Sequence, residues 1–227
     1  LPGTVSEAAS ANLNLALHVT GRRADGYHSI EMLVAFADLA TELEAAPAAR
    51  DTLTITGPFA AALGNSESNL VLKALAAFRA RWPGALPAGL SLRLHKNLPV
   101  AAGLGGGSAD AAAALRLFVR MGQGSFPFAE LLAIATTLGA DVPMCLYSLP
   151  AEVRGLGEIV LPLKQFPAAH VVLVNPLVPV VTADVFRRLA RRDNPGLPPR
   201  VDPLARPAQL GLWLGETRNG LEPPAMA

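Results

Sequence analysis

Residues 96–121 read KNLPVAAGLGGGSADAAAALRLFVRM, and this stretch decides the fold. A strand-like segment runs into Lys96, a glycine cluster follows at Gly103, Gly105, Gly106 and Gly107, and an Ala-rich helix begins beyond it. Glycine tolerates positive φ and leaves the backbone open to a ligand. The start of the helix offers free N–H groups and the positive end of the dipole, which together suit a phosphate. Ser108 and Asp110 stand where they cap or line the first turn. A tight turn before an apolar helix is the plainer reading of the same residues. Two other phosphate motifs fit poorly. A P-loop needs a Lys at its end, and none follows Gly107. A dinucleotide fingerprint needs a third glycine where Ser108 stands and a second strand ending in an acid, whereas Gly122-Gln123-Gly124-Ser125 is a loop before another helix.

At 227 residues and 51% hydrophobic content, the chain can bury the core of one large domain or two small ones. A net charge of +1 builds no basic footprint for nucleic acid. Arg187, Arg188, Arg191 and Arg192 cluster, but Asp184 and Asp193 dilute them into a solvated helix face. The single cysteine, Cys145, excludes an internal disulfide and a Cys-rich metal pattern, and its apolar neighbours make it a small core residue. No metal-ligand spacing is read anywhere. The apolar run from His170 is broken by Asn175, Pro176 and Pro179, too soon to span a membrane. With no cationic, apolar leader at the first residues, a cytoplasmic location is expected.

Leu13 to Val19 alternates as a strand, with Leu13, Leu15 and Leu17 on one face and Asn12, Asn14, Ala16 and His18 on the other. A polar, Gly-bounded turn ends in Tyr27 and His28, and Ile30 to Phe36 resumes strand character. Such a Tyr-His pair alone reads as a surface or packing feature. Leu53 to Thr56 and Leu90, Leu92 and Leu94 mark further strands. Between them Ser68 or Asn69 caps a helix with Val71, Leu75 and Phe78 inward. Pro127 opens a helix with Leu131, Leu132, Ala135 and Leu138 inward, stopped by Gly139. Asp141 sits among apolar residues, either as a turn cap before Pro143 or as a costly carboxylate kept for chemistry. Gly155 to Gly157 reads as a turn and a domain boundary, and His170 to Val174 as a buried strand. Thr182 caps a helix carrying Val185, Phe186 and Leu189. Asp202-Pro203 starts a last helix with Leu204, Leu210, Trp213 and Leu214.

The order Pro99-x-x-x-Gly103-Leu104-Gly105-Gly106-Gly107-Ser108, running into Ala111 to Leu115, resembles the phosphate loop of the GHMP kinases, which phosphorylate small molecules with ATP. The stretch from Asn14 to His28, NLALHVTGRRADGYH, is similar to one branch of that superfamily, which acts on 4-diphosphocytidyl-2-C-methyl-D-erythritol. Leu138 to Pro143, LGADVP, is similar to the segment holding that branch's catalytic aspartate. The resemblance implies an α+β fold with an ATP-binding domain over 1–157 and a partial C-terminal domain over 158–227. It implies ATP and Mg²⁺ as cofactors and a cytidylated small molecule as partner, with no nucleic acid and no membrane; the oligomeric state stays open. ATP contacts are implied at Asn69, Lys96, Pro99, Gly103, Leu104, Gly105, Gly106, Gly107 and Ser108. Substrate contacts are implied at Asn14, Tyr27, His28, Thr182 and Phe186, with the rings of Tyr27, His28 and Phe186 on the cytosine. Asp141 is implied as the catalytic aspartate, which accepts or orients the hydroxyl proton.

The chain departs from the branch in three places. Asn12 occupies the position of a catalytic lysine, Gly220 that of an aspartate, and Ala227 comes before the closing strands and third Gly-rich motif. These departures imply that fold and binding sites are kept better than the chemistry. Another GHMP kinase, acting on a sugar or mevalonate-type alcohol, is one alternative. A weak or inactive nucleotide-binding relative or fragment is the other.

Overall fold

The computed structural model describes residues 3–63, 68–175, 178, 180, 182–200 and 204–226. Two long strands, β1 (Val5–Arg22) and β2 (His28–Ala48), form an antiparallel ribbon. Because β2 is so long, its other edge takes two neighbours: β5 (Ala151–Gly155) along its first half and β4 (Gly89–His95) along its second. β3 (Thr52–Thr56) lies parallel to β4, and β6 (Ile159–Pro162) lies antiparallel to β5, which completes a six-stranded mixed sheet. Gly155 and Gly157, both at positive φ, make the hairpin turn between β5 and β6, so the chain leaves the sheet only after Pro162.

The helices α1 (Leu70–Arg81), α2 (Gly106–Met121), α3 (Phe128–Leu138) and α4 (Val142–Tyr147) pack over one face. Alternation along β4 explains the arrangement: Leu90, Leu92 and Leu94 are buried under the helices, while Ser91, Arg93 and His95 face water. α2 is the central helix. Its alanines from Ala111 to Ala114 are fully buried, small enough to let the sheet and neighbouring helices approach closely. Phe78, Phe118, Phe126 and Trp82 fill the far end of this core with tilted and edge-on ring contacts.

The alternation expected along β1 is corrected by the structure. Ala16 and His18, placed on a polar face, are buried together with Leu17 and Val19. Register shifts at Ser10/Asn12, Asn14/Ala16 and Val19/Gly21 break the two-residue period, and the C-terminal segment covers the second face of this end of the sheet. Leu204, Leu210 and Trp213 pack there on Ala16 and Leu33. His18 fastens the segment: Nδ1 lies 3.0 Å from the carbonyl oxygens of Pro195 and Gly196, and Nε2 accepts the Arg218 N–H at 3.3 Å. This pattern requires the proton on Nδ1.

The C-terminal third differs further from the sequence reading. His170 to Val174 forms no strand, with Val172 and Val174 87% and 89% exposed. A strand needs a neighbour for its N–H and C=O groups, and no described segment pairs with it. α5 (Thr182–Arg187) begins at Thr182 as expected and buries Val185. The last expected helix starts later, as α6 (Pro207–Gly215), because Pro207 suits a first helical turn; Leu204 precedes it, and Asp202-Pro203 lies outside the described residues. A short α7 (Glu222–Met226) ends the chain. No described helix is long and apolar enough to cross a membrane.

Candidate active site

α2 starts directly on the glycine cluster. Gly105, at φ 60°, holds the N-cap position and makes no side-chain cap bond, so the first N–H groups of the helix face outward without intrahelical acceptors. Of the two roles expected for Ser108 and Asp110, capping or lining the turn, only the capping one is thereby corrected. Only glycine fits position 105: besides its left-handed φ, a Cβ there would stand 1.7 Å from Asn12 Nδ2. Ala101 also holds a positive φ of 54°, an uncommon conformation for a residue with a side chain and a mark of a shaped loop.

Asp110 turns inward instead. Its Oδ2 lies 2.5 Å from Lys96 Nζ, and both side chains are almost fully buried. Burial pushes the Asp110 carboxyl up, against the pull of the Lys96 ammonium. The pair ties the end of β4 to the first turns of α2 and so frames the loop between them. Asp110 Oδ1 is buried with no hydrogen-bond partner, a free acceptor beneath the helix start.

A cavity of about 470 Å³ opens over this loop. Pro99 and Gly103 to Ser108 form one wall, with Lys96 behind them; Asn12 and Asn14 from β1, Asp141 and Thr182 form the others. A smaller hollow of about 220 Å³ adjoins it beside Gly107 and Asp110, lined also by Asn69. Asn69 is the N-cap of α1, its Oδ1 accepting the Val71 N–H at 2.9 Å, as its sequence position suggested.

Asp141 immediately precedes α4, yet its side chain makes no cap hydrogen bond. The turn-cap reading therefore loses its physical basis. Desolvation raises its pKa above the usual carboxylate range, and no cation among the described residues offsets the burial. Asn12 is buried across the cavity wall, donating from Nδ2 to Cys145 Sγ at 3.3 Å while its backbone N–H reaches the Leu104 carbonyl at 3.2 Å. Burial pushes the Cys145 thiol up to about 12, so Cys145 serves as a packed acceptor rather than a nucleophile.

Of the residues expected to contact the substrate, Asn14 and Thr182 line this cavity, whereas Tyr27, His28 and Phe186 do not. His28 and Phe186, distant in sequence, do meet, with stacked rings 5.3 Å apart and 23° from parallel. Phe186 also packs on the main core, as the packing reading of it expects. Burial, then the charges of Arg192 and Arg22, lower the His28 pKa. Tyr27 is 65% exposed beside them. Sequence reasoning missed Asn219 and Leu221, which line the cavity from the C-terminal segment. Backbone bonds between Leu17 and both Arg218 and Gly220 bring them there. No local motif could have shown this, since the contact spans the chain.

Comparison with known proteins agrees with the geometry. Residues 69–148, from the α1 cap through the glycine loop to α4, match the family model for the GHMP kinases N terminal domain. The 4-diphosphocytidyl-2-C-methyl-D-erythritol kinase of Rhizobium etli (strain CIAT 652) is 49% identical over 225 residues, covering 97% of this chain and 74% of that protein. The enzyme of that name from Bradyrhizobium sp. (strain ORS 278) is 47% identical over 99% of this chain and 77% of its own length. Among solved structures, a 4-(cytidine 5'-diphospho)-2C-methyl-D-erythritol kinase superposes with a TM-score of 0.72 at 32% identity, covering 98% of this chain and 77% of that one. Homoserine kinase from Cytophaga hutchinsonii shares the fold alone, with a TM-score of 0.60 at 18% identity over 84% of this chain and 61% of its own. With near-half identity running from β1 to the C-terminal segment, this chain belongs to the 4-diphosphocytidyl-2-C-methyl-D-erythritol kinase family of the GHMP kinases.

Proposed function

We propose that the chain transfers the γ-phosphoryl group of ATP to the 2-hydroxyl of 4-diphosphocytidyl-2-C-methyl-D-erythritol, a step of non-mevalonate isoprenoid precursor synthesis. The observation that carries this reading is a single cavity whose walls include both an uncapped helix N-terminus and an unpaired, largely desolvated carboxylate. Phosphoryl transfer depends mainly on positioning and on electrostatic stabilisation of spreading negative charge. Gly103 to Ser108 would receive the phosphates on the free N–H groups of α2. Asp141, made more basic by burial, would accept or orient the proton of the attacking hydroxyl. Asn12 offers a dipole where the related lysine would offer a charge, which makes this a slower site.

Mg²⁺ fits as an ion carried in with the nucleotide. Among the described residues no group of three acidic, His or Cys side chains could hold a metal, and Mg²⁺ commonly takes most of its ligands from phosphates and water. Ser108 and Asp141 are among the oxygen donors the cavity could add, and the ion would neutralise charge on the phosphates. The stacked His28 and Phe186, with Tyr27 beside them, supply flat faces that suit a cytosine. The site would then extend from the cavity towards these rings, through Asn14 and Thr182. Thr182 and Phe186 share α5, which links the two regions. We take the sheet and its helices, up to Pro162, as the nucleotide-binding unit and the remainder as a smaller second one, because β6 pairs with β5 and carries the expected boundary at 157 past the hairpin.

The test is ATP turnover by the purified chain offered separate alcohols. ADP release dependent on the cytidylated methylerythritol, and absent with homoserine or mevalonate, is the expected result. Release with either of those two, or with none, overturns the reading.

A further inference from the structure

We propose that Arg116 is a positioning residue: its guanidinium ties β1 to the C-terminal end of α4 and so fixes the spacing between the two walls that carry Asn12 and Asp141. The side chain leaves the middle of α2 and makes three separate bonds. Nε donates to Glu7 Oε1 at 2.7 Å, Nη2 to the Ala8 carbonyl at 2.8 Å, and Nη1 to the Cys145 carbonyl at 2.6 Å. The first two acceptors belong to β1, five and four residues before Asn12; the third belongs to α4.

The bond to Cys145 is the informative one. α4 has six residues, and its last intrahelical bond runs from the Ser148 N–H to the Met144 carbonyl. The Cys145 carbonyl lies beyond that point, one of the orphan acceptors at a helix C-terminus. A cation there satisfies the carbonyl and complements the negative end of the helix. The Cys145 N–H in turn bonds to the Asp141 carbonyl at 3.2 Å, and Cys145 Sγ accepts from Asn12. Through this one residue, Arg116 bears on both sides of the cavity without touching it. A planar guanidinium can meet acceptors from two elements in a fixed fork, which a lysine cannot reproduce. Arg120 makes a useful contrast. It shares Glu7 and reaches the Ser6 carbonyl, but bonds only to β1.

The inference goes beyond the phosphoryl-transfer reading and rests on it only for turnover. Cys145 is the only cysteine, so its native-state alkylation rate reports how firmly α4 is held. Arg116→Gln and Arg116→Lys are compared with Arg120→Gln, with global stability measured for each. In both Arg116 variants, alkylation should rise by more than any loss of global stability explains. kcat should fall by roughly 10–10²-fold, the scale of a small misplacement of reacting groups, with KM for ATP unchanged. Arg116→Lys should keep its charge against Glu7 and recover thermal stability without recovering kcat. Arg120→Gln should change neither alkylation nor kcat. Unchanged alkylation in the Arg116 variants, or increased alkylation at undiminished kcat, overturns the proposal. If the parent chain transfers no phosphoryl group, the kinase reading fails, and the alkylation rates alone decide whether Arg116 holds the two walls.

Discussion

Replacing Asp141 by Asn should make the protein more stable and much less active. The two carboxyl-sized side chains have the same shape, so the change removes a charge and little else. Burial raises the Asp141 pKa in the folded state, and no cation compensates. A group whose folded pKa is raised contributes its full stability below the unfolded pKa and loses it as pH rises through the folded value. At neutral pH the folded protein therefore carries the cost of an ionised, partly desolvated carboxylate that the Asn variant lacks. Because Asp141 retains some exposure, the low end of the usual penalty applies, about 1 kcal/mol. For a chain of this length that corresponds to a rise in Tm of about 2–4 °C. Thermal unfolding followed by circular dichroism from neutral to acidic pH should show the gain shrinking as pH falls, and vanishing once Asp141 is protonated in both states. Turnover should meanwhile drop by roughly 10²–10⁴-fold if Asp141 handles the proton. A variant no more stable than the parent at neutral pH, or one retaining most of its turnover, would refute this account of Asp141.

Gly106→Val should weaken ATP binding strongly, measured by calorimetry on the folded variant. Its added Cβ would stand 3.1 Å from Lys96 Nζ, and the rest of the side chain would crowd the helix start meant for phosphate. Unchanged affinity would remove the glycine loop from the site. Phe186→Ala should weaken the cytidylated substrate by ~1–3 kcal/mol and spare ATP, because a stacking face is lost; equal loss for both ligands would return Phe186 to the core alone. Asn12→Lys should raise kcat by up to roughly 10²–10³ and move the acidic limb of the pH–rate profile downward. An added ammonium favours the ionised form of Asp141, so less alkaline conditions suffice to deprotonate it. An unshifted limb would show that residue 12 does not act on Asp141.

Local signals in the sequence are legible where one element carries its own pattern. The glycine loop, the Asn69 cap, and the buried faces of α1 and β4 follow from residues within a few positions of each other. The alternation of β1 fails because bulges shift its register and a segment far along the chain, carrying Leu204, Leu210 and Trp213, covers its second face. Asp110 looked like a capping residue from its place in the first turns, and only the fold brings Lys96 against it. The segment 170–174 has the composition of a buried strand, yet composition cannot supply a neighbouring strand. The cavity itself was legible in part: Asp141, the loop, Asn12, Asn14 and Thr182 converge, while Asn219 and Leu221 arrive through a backbone contact that no motif encodes.

The central claim is that this chain, with Asn12 in its cavity, phosphorylates a specific hydroxyl. Phosphorus NMR of a reaction holding the purified chain, ATP, Mg²⁺ and 4-diphosphocytidyl-2-C-methyl-D-erythritol tests it most directly, with the Asp141→Asn variant run alongside. The account predicts slow growth of a phosphomonoester signal on the 2-hydroxyl, matched by ADP and greatly reduced in the variant. A folded chain that yields ADP without the phosphomonoester, or forms it at an equal rate without Asp141, would contradict it.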